Sequence, residues 1–182
     1  MDDKLNRRGV LGTVGAAVVA GVAVEAMGAP AEKPVTKTTK IVAVCCSPRK
    51  GKTTAASLKV CLSAAAQVAP GVETELIELA GMDIPVFNPA GGSGDFSKIA
   101  EKLSDPKVGG IIIGTPVYFG NMTSLCKAFL EHCMVFRKKG FALANKVGGV
   151  LAVGGARNGG QELTIQSVQI ALLCQEMIIV GD

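Results

Sequence analysis

Aromatic residues are scarce in this chain of 182 residues: they make up 4%, with no Trp and a single Tyr. Glycine is frequent instead, with 23 residues, so we expect turns and ligand contacts to be built largely from backbone. No basic stripe with interleaved aromatic residues accompanies the net charge of +4, which argues against nucleic-acid binding. Apolar residues make up 48% and charged residues 19%, a composition that supports a sizeable core and argues against disorder.

The cysteines and the single histidine do not form a metal-binding pattern. None of the six cysteines belongs to a CxxC pair and His132 stands alone, so no zinc site is predicted. We interpret the cysteines as small buried hydrophobic residues, and only export would make disulfides feasible. His132 is interpreted as a packed or solvent-facing side chain rather than a catalyst. The six cysteines are Cys45, Cys46, Cys61, Cys126, Cys133 and Cys174.

The first 31 residues have the composition of an export signal. A charged start is followed by a weakly apolar stretch of Gly, Ala and Val, and Ala29 and Ala31 then form an A-x-A cleavage pattern. The apolar stretch is too short and too rich in Gly and Ala to be a good membrane anchor. Arg7 and Arg8 resemble the pair of a twin-arginine signal, with a Sec signal or a plain N-terminal anchor as the alternatives.

We therefore expect a periplasmic or otherwise exported protein. Residues 1–31 would be the signal peptide, residues 32–40 a linker, and residues 41–182 one folded domain. Once the signal is removed, no stable membrane span is expected. Because the twin-arginine route carries folded proteins, a domain that loads a cofactor in the cytoplasm would suit it.

The domain alternates between short apolar runs and segments of helical spacing. Strands are predicted at 41–45, 72–79, 109–114, 147–153 and 177–180, and helices at 53–68, 95–103, about 122–137 and 161–174. This alternation predicts an α/β, doubly wound five-stranded parallel sheet with helices on both faces. The strand at 72–79 is placed near an edge because its alternation blurs at Ile77. The loops after strands one, three and four should then meet at the ligand-binding edge of the sheet.

The loop after the first strand, SPRKGKTT from Ser47 to Thr54, leads into a helix N-terminus. Backbone N–H groups, hydroxyls and the Arg49 guanidinium predict a phosphate site there. A Walker A motif is the competing interpretation, because residues 51–53 match its end. However, Cys46 takes the place of its first glycine, and no acidic residue follows a later apolar strand. Nucleotide hydrolysis is therefore the less favoured function.

The other two loops favour a planar ligand. Tyr118 and Phe119 are adjacent in the turn TPVYFGN, and in an aromatic-poor chain they indicate stacking on a planar ring, the alternative being an aromatic plug at the sheet edge. The loop GGARNGGQE, residues 154–162, is so rich in glycine that its backbone can approach a ligand closely. A merely flexible strand-to-helix turn is the alternative there.

Together these loops resemble those of the flavodoxin-like NAD(P)H-dependent FMN reductases and iron–sulfur flavoproteins. The resemblance covers most of the chain from Ile41 onward and depends most on SPRKGKTT, TPVYFGNMTSLCKAFLE and GGARNGGQE in this order. It implies FMN as the cofactor and NAD(P)H as a donor. By this resemblance the phosphate would be held by Ser47, Arg49, Lys50, Gly51, Lys52, Thr53 and Thr54. The isoalloxazine ring would be lined by Pro116, Val117, Tyr118, Phe119, Gly120 and Asn121, and its far side closed by Gly154, Gly155, Gly159 and Gly160.

Two features depart from the family pattern. Iron–sulfur flavoproteins carry a compact cysteine cluster between the second and third strands, whereas Asp83 to Lys107 contains no cysteine, so no iron–sulfur cluster is expected. The sequence also ends right after the predicted fifth strand, where the fold usually adds a last helix. We expect either a truncated protein or a face covered by a partner, such as a second subunit of a homo-oligomer.

The function implied is that of an FMN-dependent oxidoreductase of the FMN reductase or quinone reductase type. The flavin would supply the chemistry, so no catalytic acid, base or metal is predicted. The alternative is an exported flavodoxin-type electron carrier without its own small-molecule substrate, and a third is a degenerate fold used for binding only. The sequence assigns neither the electron donor nor the acceptor.

Overall fold

The structure is a computed structural model that describes residues 38–181. The predicted signal peptide and most of the predicted linker lie outside the described residues. The strands are β1 (Thr39–Cys45), β2 (Val72–Glu78), β3 (Val108–Pro116), β4 (Val147–Val153) and β5 (Ile178–Ile179). The helices are α1 (Thr53–Val68), α2 (Phe96–Leu103), α3 (Ser124–His132), α4 (Met134–Lys138) and α5 (Gln161–Leu173).

The five strands form one parallel sheet in the order β2-β1-β3-β4-β5. This is the strand order of a flavodoxin-like doubly wound sheet, so the predicted fold class is confirmed. β2 lies at the edge, as its blurred alternation indicated. The chain reverses its direction of winding between β1 and β3, and the loops that follow these strands leave the sheet from the same end.

Helices cover both faces of the sheet unequally. The larger core cluster includes Val42 and Ile113 from the sheet with Ile99 of α2, Phe129 of α3 and Leu172 of α5. The smaller cluster joins alternate sheet residues such as Ala43 to Leu58 and Leu62 of α1. Among the described helices, α1 alone contributes to this second cluster. None of the helices within residues 38–181 has the length and apolarity needed to cross a bilayer.

Several strand boundaries differ from the sequence prediction, and the largest differences among the first three strands are at the start of β1 and the end of β3. β1 begins at Thr39 rather than Ile41, because Thr39 and Lys40 already pair with β2. β3 extends to Pro116, since its last two residues pair with Ala152 and Val153. The missing N–H of Pro116 is tolerated there because pairing with β1 ends at Gly114.

The C-terminal half also differs in detail. The helix predicted to continue to about residue 137 is divided at Cys133 into α3 and α4, and β5 is shorter than predicted, pairing only with Val147 and Gly148. All six cysteines are free thiols. Four of them are buried as predicted, but Cys61 is half-buried and Cys174 is exposed, so the interpretation as buried residues was wrong for Cys174.

Candidate functional site

The loop after β1 ends in a helix N-terminus that no side chain caps. Lys52 occupies the N-cap position without a side-chain hydrogen bond, and the first turn of α1 contains no acidic residue. The first intrahelical bond is donated by the Ala56 N–H to the Lys52 carbonyl, at 2.9 Å. The N–H groups of Thr53, Thr54 and Ala55 therefore have no intrahelical partner, which makes this end an anion site.

In this loop the cationic side chains are exposed, whereas two of the residues that carry a hydroxyl group are buried. Arg49, Lys50 and Lys52 are exposed around the N-terminus of α1. Ser47 is buried instead, and its hydroxyl accepts from the Arg49 N–H at 3.1 Å, so it shapes the loop. Thr54 is also buried, whereas Thr53 and Gly51 are exposed.

A carboxylate from the neighbouring strand reaches the same loop. Glu78, the last residue of β2, accepts a hydrogen bond from the Gly51 N–H through Oε2 at 2.7 Å. The contact fixes the loop against β2, but it also places a negative charge next to the anion site. Glu78 was not predicted from the sequence as part of the site, because it lies 27 positions from Gly51 and no local pattern links the two residues.

The loop after β3 is a two-residue hairpin turn. The Tyr118 N–H donates to the Asn121 carbonyl at 2.8 Å, and the Asn121 N–H donates back to the Tyr118 carbonyl at 3.2 Å. Phe119 and Gly120 at the tip have φ values of 52° and 78°, as a type I′ turn requires. The Phe119 side chain is fully exposed and that of Tyr118 is 41% exposed, so neither is a buried plug at the sheet edge. Pro116 is buried and Val117 is half-buried at the start of the turn.

The loop after β4 touches this hairpin through backbone. Gly160 has a φ of 100°, and a Cβ atom built on it would lie 2.8 Å from the Gly120 Cα. The two loops therefore meet glycine to glycine, with no room for a side chain between them. Gly155 and Gly159 are exposed in the same loop, and Gly154 and Gly160 are half-buried.

Gln161 lies near the end of the third loop, and its side-chain oxygen has no hydrogen-bond partner among the described residues. Its Nε2 donates to the Ala156 carbonyl at 2.7 Å. Its Oε1 is buried, and no residue of the described chain donates to it. A Cβ on Gly154 would lie 2.2 Å from the Gln161 Nε2, so this glycine makes room for the Gln161 side chain.

Thr123 connects the loop after β1 to the segment after β3 through hydrogen bonds. It caps α3 by accepting from the Cys126 N–H at 3.1 Å, and its hydroxyl donates to the Cys46 carbonyl at 2.8 Å. Its own N–H donates to the Thr115 hydroxyl at 3.2 Å. Thr123 was not predicted as a site residue, although a Thr directly before a helix is a recognisable capping signal.

The buried thiols beneath the site have raised pKa values. Burial raises the pKa of the Cys46 thiol far above its ordinary value, and the neighbouring Cys126 thiol raises it further. Burial also raises the pKa of Cys45 and Cys133. A raised pKa favours the protonated thiol at neutral pH.

Comparisons with known proteins agree with this geometry. The sequence profile of the family described as NADPH-dependent FMN reductase matches residues 39–182. An iron-sulfur flavoprotein of Methanosarcina thermophila is 37% identical over 154 residues, which cover 79% of this chain and 78% of that protein. The apo structure of the NADH:FMN oxidoreductase EmoB has a TM-score of 0.59 at 22% identity, covering 78% of this chain and 76% of that one. FerB, an NAD(P)H:acceptor oxidoreductase from Paracoccus denitrificans, has a TM-score of 0.62 at 17% identity, covering 79% and 75%.

The chain belongs to the NADPH-dependent FMN reductase family. It is an FMN-dependent oxidoreductase, as the sequence predicted. Two observations show that the residues present fit FMN. The uncapped N-terminus of α1 lies among three exposed cations, as a phosphate requires, and the Gln161 Oε1 is a buried acceptor for a ring or ribityl donor.

Proposed function

We propose that the three loops hold FMN in the arrangement that the sequence predicts. The observation that carries the proposal is the N-terminus of α1, where three N–H groups without intrahelical partners lie beside Arg49, Lys50 and Lys52. A dianionic phosphate satisfies these donors, and the helix dipole adds to the attraction. The hairpin at Pro116–Asn121 and the glycines of residues 154–160 then border the isoalloxazine ring.

Each group in the site has a defined task in this arrangement. Arg49, Lys50 and Lys52 neutralise the phosphate, with the hydroxyls of Thr53 and Thr54 at the helix start. Tyr118 and Phe119 present aromatic surface to the flavin ring, and the contact between Gly120 and Gly160 fixes the distance between the two loops that border it. When bound, FMN supplies the redox chemistry by accepting a hydride and releasing electrons singly or in pairs.

We further propose NAD(P)H as the electron donor and a quinone or free flavin as the acceptor, with FMN as the sole redox centre. The family assignment supports the donor. A quinone acceptor is supported by a relative from Aromatoleum aromaticum named NAD(P)H dehydrogenase (quinone), which is 43% identical over 83 residues, covering 46% of this chain and 40% of that protein. The lack of cysteine between Asp83 and Lys107 supports the proposal that no iron–sulfur cluster accompanies the flavin.

The test is an absorbance spectrum of the purified full chain, followed by identification of the flavin released on denaturation. We expect about one FMN per chain and steady oxidation of NADPH when a quinone is added. Replacing Lys52 and Arg49 with Gln should weaken FMN binding, while Lys59→Gln, on the exposed side of α1, should not. A protein that binds FMN without oxidising NAD(P)H would instead be an electron carrier, and one that does not take up FMN at all would contradict the proposal.

We also propose that the protein is exported by the twin-arginine route, so that FMN is loaded before transport. Support comes from the sequence alone, since Arg7 and Arg8 precede an apolar stretch and an A-x-A pattern. The test is fractionation of cells that express the full chain or the Arg7→Lys, Arg8→Lys double variant. Retention of the variant in the cytoplasm is the expected outcome, and equal export of both proteins would exclude this route.

We propose finally that the enzyme is a homo-oligomer that does not bind nucleic acid. Leu163, Ile170 and Leu173 expose more than half of their side-chain surface along α5, which supports self-association. Light scattering of the full chain tests this. A mass of one chain at micromolar concentration would contradict it.

A further inference from the structure

A second cavity lies on the face of the sheet covered by α2, α3 and α4. Its volume is about 270 Å³, and it opens between the loop that follows β2 and these helices. None of its lining residues belongs to the three loops of the FMN site. Its wall contains three aromatic rings in a chain with 4% aromatic residues: Phe87, Phe96 and His132.

The aromatic rings of this wall pack against one another. His132 stacks on Phe96 with 5.2 Å between ring centroids and a 27° angle between the ring planes. Phe87 meets the His132 ring edge-on at 5.4 Å. Phe96 in turn packs against Phe129 and Phe136 of the core, so the wall is rigid on its inner side. A planar ring that enters this cavity finds preformed aromatic surface.

His132 lines the cavity and uses one ring nitrogen for a hydrogen bond within the protein. The residue is only 4% exposed, and its Nε2 lies 2.9 Å from the Pro85 carbonyl oxygen. A carbonyl oxygen only accepts, so Nε2 carries the proton of this hydrogen bond, and Nδ1 is the acceptor of that tautomer. The hydrogen bond to Pro85 is the one that the His132 ring makes within residues 38–181.

The rim of the cavity is positively charged. Lys138 and Lys139 at the end of α4 line it together with the single acidic residue Glu101. Neither lysine forms an ion pair with another residue of the described chain. The hydroxyls of Ser93 and Ser97 add donors at the mouth. The rim thus has a net charge of +1 and favours a ligand with an anionic end.

We propose that this cavity binds a small hydroxylated aromatic acid. The ring of the ligand lies against Phe87 and Phe96, its hydroxyl donates to the Nδ1 of His132, and its carboxylate faces Lys138 and Lys139. A single six-membered ring with these two substituents suits a cavity of about 270 Å³. The inference depends on this cavity alone and not on the proposed FMN site, so the failure of one leaves the other standing.

The test uses 4-hydroxybenzoate as the probe and the purified full chain, with and without added FMN, as the receptor. Calorimetry and ligand-observed NMR should report binding, and free FMN should not displace the probe. Benzoate lacks the donor for His132, and phenol lacks the carboxylate. Each should bind about fivefold or more weakly, as expected for the loss of one charged or buried hydrogen bond. Equal binding of all three compounds would show an unspecific apolar pocket and overturn the proposal.

Variants at the rim and at His132 locate the site, and circular dichroism of each variant checks that it folds. Lys138→Gln combined with Lys139→Gln changes two exposed side chains and should weaken 4-hydroxybenzoate about fivefold while leaving phenol unchanged. Lys59→Gln, an exposed lysine of α1 in the other core cluster, is the matched control. His132→Phe keeps the aromatic wall and should remove the preference for 4-hydroxybenzoate over benzoate. If the probe does not bind, if FMN displaces it, or if the double variant binds it as well as the control does, the inference is wrong.

Discussion

Three hydrogen bonds of Thr123 connect segments that border the candidate site. Its hydroxyl caps α3 and donates to the Cys46 carbonyl, and its N–H donates to Thr115. Cys46 is fully buried and directly precedes Ser47, the first residue of the loop after β1. One side chain therefore fixes the start of this loop to α3, the helix that follows the hairpin.

We predict that Thr123→Val destabilises the domain by about 1–3 kcal/mol, because it removes the cap and leaves the buried Cys46 carbonyl without its partner. Urea unfolding followed by circular dichroism measures the change. Thr123→Ser keeps the hydroxyl and should recover most of the stability. If the Val and Ser variants unfold at the same urea concentration, the hydroxyl does not have this role.

Glu78 places a carboxylate beside the loop at the N-terminus of α1, where we propose that the FMN phosphate binds. Glu78→Gln keeps an acceptor for the Gly51 N–H but removes the negative charge. We expect FMN to bind about threefold to tenfold more tightly, the effect of one nearby charge at the protein surface. Fluorescence titration of the apoprotein with FMN measures this, with Glu73→Gln at the opposite end of β2 as the control. Weaker binding by Glu78→Gln would show that the loop anchor matters more than the charge.

The hairpin after β3 and the loop after β4 act together because their backbones touch. Gly160 has a φ of 100° and faces the Gly120 backbone at a distance that excludes any side chain. β3 and β4 are neighbours in the sheet, and the Val117 N–H donates to the Val153 carbonyl at 2.9 Å. The two loops therefore start side by side and meet again at their tips.

Gly160→Ala should separate these loops and weaken FMN binding about tenfold or more, since both the positive φ and the lack of space oppose a Cβ atom. The same fluorescence titration measures the loss. Gly92→Ala is the control, because a Cβ at Gly92 would meet no atom within 4 Å. Unchanged affinity in Gly160→Ala would mean that the loops move apart without consequence for the cofactor.

Over the whole domain, Glu75 of β2 joins parts of the fold that are distant in sequence. Its carboxylate pairs with Lys40 of β1, and with Lys102 of α2 at 2.5 Å. The hydrogen bond from Lys102, followed by that from Lys40, lowers the pKa of Glu75 below its ordinary value of 4.5. A carboxyl group with a lowered pKa stabilises the fold above its unfolded pKa, and this contribution is lost as the pH falls through its folded pKa.

We predict that Glu75→Gln lowers the free energy of unfolding by up to about 1 kcal/mol at pH 7, which is the range measured for partly exposed ion pairs. At about pH 2–3 the substitution should lower it by almost nothing. Urea midpoints measured across this pH range test the prediction. Glu101→Gln, an exposed residue of α2 that forms none of the ion pairs within residues 38–181, is the control. A constant difference between Glu75→Gln and the unsubstituted chain at every pH would contradict it.

The sequence alone determined the order of the elements and the class of the fold. The bounds of α1 and β4 agree with the prediction to the residue, since Pro70-Gly71 follows the first and Gly154 follows the second. The segments of the proposed FMN site could also be selected from the sequence, because phosphate loops, turn aromatics and glycine runs are local patterns. The break at Cys133 and the start of β1 at Thr39 were not predicted, since pairing and packing with other elements decide them.

Only the tertiary structure decided which groups meet within the site and which surround the second cavity. Glu78 reaches Gly51 across 27 positions, and Thr123 reaches Cys46 across 77. His132 meets Phe87 and Phe96 in the same way, and nothing near it in sequence indicated an aromatic wall. Local patterns follow from backbone geometry within a few residues, whereas these contacts depend on how the sheet brings distant segments together. The sequence therefore predicts the loops, and the fold determines how they face one another.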